Sequence, residues 1–152
     1  MVMDRPSSEA AFTRHLLPVA RRLNRSADKV IRELGLSNAN GWVLVHVSRT
    51  EAGIQQGALA ELIGISGASL VPRLDQLEAA GLITRAPDPA NRRVNHVRLT
   101  ADGHALARRI EAAFAALRKA ALADVTDDEL AVAHRVLMRL DRRVVGGLDD
   151  GA

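Results

Sequence analysis

Ser66, Ser69, Pro72, Arg73 and Gln76 follow one another at helical spacing in a single short stretch. Small and hydrogen-bonding side chains on one helix let it sit deep in a major groove and reach base edges. A turn rich in Pro, Asp and Asn comes next, carrying Asn91, Arg92 and Arg93 at its tip. Arginine suits a narrow minor groove, where the negative potential is enhanced. Arg85 and Arg98, on either side of the turn, are placed to lie along flanking phosphates. Between Ile83 and Thr100 the charges are Arg85, Arg92, Arg93 and Arg98 against Asp88, a net of three positive, as large as the excess of the whole chain. A polyanion would meet that patch first. Taken alone, an arginine pair is more often a solvated turn, and two short helices are as readily part of an ordinary bundle as of a DNA-binding motif. The immediate succession of the two features favours the nucleic-acid reading.

Other chemistry finds little support. His15, His46, His96, His104 and His134 are scattered without paired metal-ligand spacing. There is no phosphate-binding glycine loop and no nucleophile motif, and Asp75 and Glu78 read as helix-surface charges. No catalytic residue, metal or cofactor is therefore expected, and the chain is not expected to be an enzyme. Cysteine is absent, which excludes disulfides and thiol-based redox sensing through this chain. No apolar run approaches the roughly 20 residues that span a bilayer, and residues 1–8 do not read as a signal peptide. The expectation is a cytoplasmic protein with no membrane partner.

The elements that must position these residues follow from periodicity. Aromatic residues are 2% of the chain, and the apolar set is mostly Ala, Leu, Val and Ile, a composition that favours helices. Ser7 or Ser8 is expected to cap a first helix whose apolar face runs Phe12, Leu16, Val19, Leu23, Ala27, Val30, Ile31, Leu34, kinked near Pro18. A second helix follows Ser37 or Asn38. A third covers Gln55 to Ile63 with Leu59, Leu62 and Ile63 inward. Gly64-Ile65-Ser66 then turns into a fourth helix with Leu70, Leu74 and Leu77 as its buried stripe, the spacing of a helix-turn-helix. Leu82–Arg85 and Val94–Leu99 read as a two-stranded hairpin. Thr100 caps a long alanine-dense helix, and Thr126 with Glu129 forms a capping box for the last one. The fold class is mainly α with a small β-hairpin.

The run Leu59-Ala60-Glu61, Ser69-Leu70-Val71, Leu74-Asp75-Gln76-Leu77-Glu78, Gly81-Leu82-Ile83, Asp88-Pro89, Asn91-Arg92-Arg93 and Leu99-Thr100-Ala101-Asp102-Gly103 resembles the MarR family over roughly Leu34 to Ala107. Ser69 to Glu78, and Trp42 followed by His46, are most similar to its SlyA branch. The resemblance implies a winged helix-turn-helix lobe at about 38–100, with dimerisation helices at about 8–34 and 101–147 and a disordered tail at 148–152. It also implies a homodimeric regulator of transcription on double-stranded DNA, usually a repressor. A small aromatic or phenolic ligand would release the DNA, with Trp42 and His46 as candidate effector contacts. Two positions depart from the family pattern. Asn91 stands where an Asp usually orients a wing arginine, and Pro72 replaces a polar or basic residue of the recognition helix, which leaves Arg73 to supply the contact.

The flanking helices also argue for a dimer on physical grounds. Leu16, Leu17, Leu130, Val136, Leu140 and Val144 exceed what one lobe can cover. A two-fold dimer would set its recognition helices about 34–36 Å apart and ask for a near-palindromic site. A helical dimeric protein-interaction module without specific DNA binding is the alternative, and the basic hairpin separates the two, because such a module has no use for it. Arg93→Ala is expected to weaken DNA binding while leaving thermal unfolding unchanged; unchanged affinity at unchanged stability contradicts the wing assignment.

Overall fold

A computed structural model describes residues 4–50, 52–88, 91 and 94–146. The elements run α1 (Arg5–Glu33), α2 (Asn38–Ser48), β1 (Ile54–Gln55), α3 (Gln56–Ile63), α4 (Gly67–Ala79), β2 (Ile83–Pro87), β3 (Asn95–Leu99), α5 (Ala101–Ala121) and α6 (Asp127–Val145). Two compact units result, residues 1–117 and residues 118–152. The tail expected at 148–152 lies outside the described residues, as do Arg92 and Arg93.

Local signals set most boundaries. The Ser37 hydroxyl accepts from the Asn40 amide at the start of α2, and Ser66 does the same for Ser69 at the start of α4. Gly64 closes α3 in the left-handed region at φ 76°, a conformation glycine adopts without steric cost. Thr100 Oγ1 donates to the Gly81 carbonyl at 2.6 Å and accepts from Gly103 N at 3.0 Å, so one hydroxyl ties the start of α5 to the end of the helix-turn-helix. Thr126 and Glu129 form the expected capping box. The Thr126 backbone amide, and after it the Thr126 hydroxyl, donate to the Glu129 carboxylate and keep it below the usual carboxylate range.

Helix α1 begins earlier than Ser7 or Ser8. Asp4 occupies the cap position without a side-chain bond and Pro6 lies in the first turn, where its fixed φ suits the helix and its missing N–H is no loss. The helix also runs unbroken past Pro18.

The first unit has one core. Ile31 of α1, Val43, Leu44, Val45 and Val47 of α2, Leu59 of α3, Leu70, Leu74 and Leu77 of α4, Ile83 and Val97 of the sheet, and Ile110 and Phe114 of α5 are buried together. The core thus extends beyond 38–100 into both flanking helices. Gly41 lets α2 approach α1 so closely that a Cβ there would overlap the Ile31 side chain. Leu62 points outward instead of inward, because Leu59 and Ala60 take the buried side of α3.

The sheet has three strands rather than two, in the order β1-β3-β2, both pairs antiparallel. Ile54 pairs with Val97 and Gln55 with His96. A strand of two residues shows no alternation, so period-2 reasoning cannot see it. Gly53, at φ 84°, brings the chain close to the Val97 carbonyl and starts this third strand.

Only the C-terminal half of α1 joins the core, at Ala27 and Ile31, while Phe12, Val19 and Leu23 remain exposed. Helix α6 has no buried residue at all, and Leu130, Val136, Leu137 and Val144 stand exposed along it.

Gly103 is buried where the first turn of α5 meets the segment between α4 and β2, and a Cβ there would overlap the Leu82 carbonyl oxygen. Gly103→Ala is expected to destabilise the first unit by about 1–3 kcal/mol, the usual cost of forcing a methyl group into a packed site. Denaturant unfolding followed by circular dichroism measures it, and an unchanged midpoint would show that the α5 start does not depend on this approach.

Candidate nucleic-acid interface

Helix α4 packs Leu70, Leu74 and Leu77 into the core and turns Ser66, Ser69, Pro72 and Gln76 to solvent. The Ser66 and Ser69 hydroxyls lie 2.8 Å apart at its N-terminus. Gln76 Oε1 accepts from Asn40 Nδ2 of α2 at 2.9 Å. Pro72 is exposed, and the helix continues through it. The outer surface is therefore short-chained and polar, the shape a groove-entering helix needs.

Arg73 does not belong to that surface. It is half-buried and lines a cleft with Asn24, Trp42, His46, Ile63 and Ile65, and its Nε is buried without a hydrogen-bond partner. The residue expected to read bases is thus directed beneath the helix. The pattern carried that information: Arg73 lies three residues after Leu70 and four before Leu77, on the side of the buried stripe.

Arg85 is likewise occupied. From β2 it reaches back to α4, where Nε and Nη2 donate to Glu78 Oε2 at 3.0 and 2.6 Å and Nη2 pairs with Asp75 Oδ1 at 2.6 Å. The Arg85 backbone amide donates to Glu78 Oε1 at 3.1 Å. Its guanidinium is expected to bond wing and recognition helix together before it meets any phosphate. Asp75 and Glu78, read from sequence as plain surface charges, are the two ends of this clamp. The hydrogen bonds from Arg85 hold Glu78 below the ordinary carboxylate range and, reciprocally, Glu78 raises Arg85.

The wing hairpin is pinned a second time. Asp88 Oδ2 lies 2.8 Å from His96 Nε2, and Asp88 Oδ1 accepts from the Asn91 amide at 3.3 Å. The Asp88 amide in turn donates to the Val94 carbonyl at 2.7 Å. His96 was no candidate from sequence, because its partner depends on the register that sets His96 opposite Ala86. Asn91 and Arg98 are exposed on the same hairpin.

In the cleft, Trp42 Nε1 donates to Asp28 Oδ1 at 2.9 Å, and its ring stacks obliquely on Phe114 at 5.4 Å. His46 sits 6.3 Å from the same indole. Burial, and then the nearby Arg49 charge, lower its pKa, so His46 is neutral near pH 7. The two expected effector contacts therefore do share one cavity, and Arg73 joins them there.

Residues 34–94 match the pattern of the MarR family. The transcriptional regulator PA3341 is similar over almost its whole length: 32% identity, 90% of this chain and 99% of that one, with a TM-score of 0.81. The chain belongs to the MarR family. The regulator SlyA, at 25% identity, covers 88% of this chain and 93% of its own with a TM-score of 0.74. The Staphylococcus aureus MepR–DNA complex, at 18% identity, covers 85% and 95% with a TM-score of 0.72 and shares the fold. This MarR-family transcriptional regulator thus has the winged-helix DNA-binding architecture. No group of His, Asp or Glu among the described residues is arranged to hold a metal ion, and no described helix is long and apolar enough to cross a membrane.

The lowered pKa of Glu78 fixes the sign of one pH effect. Its folded value lies below the unfolded one, so the stabilisation is complete above the ordinary carboxylate range and is lost as pH falls through the folded value. Arg85→Gln is expected to flatten the part of the acid-unfolding curve below about pH 4.5 and to reduce DNA affinity several-fold at pH 7. Acid unfolding followed by circular dichroism and DNA binding followed by anisotropy test the two parts, and an unchanged affinity would show that the clamp is not needed for recognition.

Proposed function

We propose that this regulator is a homodimeric repressor that binds a near-palindromic double-stranded DNA site and leaves it when a small aromatic or phenolic ligand binds. The observation that carries the reading is the rigid pairing of an outward-facing α4 with a basic hairpin through Arg85, Asp75 and Glu78. A helix and a wing held as one body suit adjacent major and minor grooves. Ser66, Ser69, Pro72 and Gln76 form the helix surface offered to bases. Asn91 and the neighbouring Arg92 and Arg93 of the sequence are assigned to the minor groove, and the exposed Arg98 to a flanking phosphate.

Dimerisation is supported by what the chain leaves uncovered. Phe12, Leu17, Val19 and Leu23 on α1 and Leu130, Val136, Leu137 and Val144 on α6 are exposed, with Leu16 and Leu140 half-buried beside them. Monomeric proteins rarely leave apolar area of that extent in water. A second copy covers the same faces twice, and two-fold symmetry then sets two recognition helices against one duplex. Ligand and DNA would act by selecting different lobe spacings from those the free dimer samples.

Selection of bound fragments from genomic DNA, followed by a salt titration on the best fragment, tests this reading. The expected results are a near-palindromic consensus and a steep linear fall of log affinity with log salt, as counterion release requires. Sedimentation should give a dimer, and Val136→Glu on the exposed side of α6 should shift it toward monomer and lower DNA affinity at least tenfold. Fragments without a shared sequence would contradict specific recognition, and a monomer that binds as tightly as the parent would contradict the dimeric arrangement.

A further inference from the structure

The outward side chains of α4 are not equally free. Ser66 and Ser69 bond each other, and Pro72 has no side-chain hydrogen-bonding group. Gln76 is bonded across to α2, its Oε1 accepting from Asn40 Nδ2 at 2.9 Å. A carboxamide is planar, with its oxygen and nitrogen on opposite sides of one carbon. Turning Oε1 toward α2 therefore turns Nε2 away from it. What Gln76 offers outward is a donor, with its acceptor held behind.

Asn40 is the stiffer partner. It is half-buried in the first turn of α2, and its backbone amide is fixed by the Ser37 hydroxyl at 3.2 Å. The positive end of the helix there favours Asn40 Oδ1 turned toward the amides of that turn, which leaves Nδ2 for Gln76. Gln76 is exposed and has the longer side chain, so Asn40 sets the orientation and Gln76 follows. Water competes with this bond on the free protein. Under a duplex that water is displaced, and breaking the bond would strand the Asn40 amino group without an acceptor.

The consequence lies in what each base shows. In the major groove adenine presents an acceptor, N7, beside a donor, its N6 amino group, and a glutamine free to turn reads both. Guanine presents two acceptors, N7 and O6. Thymine offers one acceptor beside a methyl group, and cytosine a donor alone. An amide that shows only its amino end matches guanine and leaves the adenine amino group unanswered.

We propose that Asn40 sets the base preference of Gln76, turning a side chain that ordinarily suits adenine into a reader of guanine. The inference rests on the DNA-binding reading above and adds to it a positioning residue from outside α4. Asn40 acts through the Gln76 amide and need not reach a base itself. Sequence preference is then written partly on α2, in a hydrogen bond that no contact list for α4 alone would contain.

Selection from randomised duplexes with the full-length protein gives the preferred base at each position. The same selection with Gln76→Ala marks the pair that Gln76 reads, because its preference is lost there. That pair is expected to be G·C in the parent, with guanine favoured over adenine by about fivefold or more. Asn40→Ala frees the amide and should bring guanine and adenine within about twofold of each other. Asn40→Asp replaces the donor by an acceptor, so Gln76 turns Nε2 inward and shows Oε1. Adenine or cytosine should then replace guanine on the same strand. Asn38, whose Oδ1 accepts from Arg32 at 3.0 Å, supplies the control. Asn38→Asp adds the same charge at the same helix start and should weaken all sequences alike, leaving the preferred pair unchanged. A merely structural role of Asn40 would lower affinity without changing the base. Adenine preferred by the parent at the marked pair, or an unchanged preference in both folded Asn40 variants, overturns the proposal. So does a consensus in which Gln76→Ala erases no pair, or an equal shift of preference in Asn38→Asp. Should Asn40→Asp fail to fold, the parent and Asn40→Ala decide the matter. A parent that selects no shared sequence refutes specific recognition and this proposal with it, whereas a consensus without the Asn40 effect refutes this proposal alone.

Discussion

The guanidinium of Arg85 is the point on which this molecule's recognition surface depends. A winged helix must hold two dissimilar objects, a helix and a hairpin, at a fixed offset, although only Gly81 and Leu82 separate α4 and its cap Ala80 from β2. Hydrophobic packing through Leu77 and Ile83 brings them together but is nondirectional. Direction comes from Arg85, which meets Glu78 through both side chain and backbone and meets Asp75 one helical turn earlier. The cluster is half-open to water, with 22% of the Arg85 side chain exposed, so its contribution is geometric more than energetic, as exposed ion pairs are individually weak. Arg85 is already matched by carboxylates.

Within the lobe, charge is sorted by position. Arg49 and Glu111 join α2 to α5, Arg85 joins the wing to α4, and Asp88 with His96 joins the two strands of the wing at its outer end. The first two fasten junctions between elements that hydrophobic contact alone would leave free to slide, and the third adds a side-chain bond to the β2–β3 ladder. Arg73 stands outside this scheme, and its position on the stripe of Leu70, Leu74 and Leu77 explains why: it cannot turn outward without leaving the side of the helix its backbone gives it. Pro72, next to it, removes the amide that would have bonded the Ala68 carbonyl, a local weakening in the middle of the recognition helix.

What the sequence disclosed, and what it withheld, follows from the range of the interactions. Caps act over three residues, so Ser37, Ser66, Thr100 and Thr126 were legible, and so was the stripe that makes α4. The start of α1 was misplaced because Pro6 competes with Ser7 and Ser8 as a beginning and needs no side-chain bond. Strand β1 was invisible because two residues have no period. Leu62 was assigned inward although Leu59 and Ala60 already fill that side of so short a helix. Arg85 was placed on phosphates because its carboxylate partners lie across a turn, and His96 was passed over because only strand register pairs it with Asp88. The inward aim of Arg73 was the one miss that spacing alone could have prevented.

Helix α6 has a further consequence. Its 19 residues carry a complete capping box, acidic residues in the first turn and Arg142 and Arg143 in the last, so its ends are well supported against fraying. Yet none of its side chains is buried, and helix-end chemistry of this kind is worth only about 0.3–2 kcal/mol per feature. Most of the free energy that keeps such a segment ordered must come from whatever covers its apolar side. If that cover is a second chain, order in α6 follows mass action: dilution uncovers it, and the persistence of the last helix becomes a measure of how much protein the cell holds.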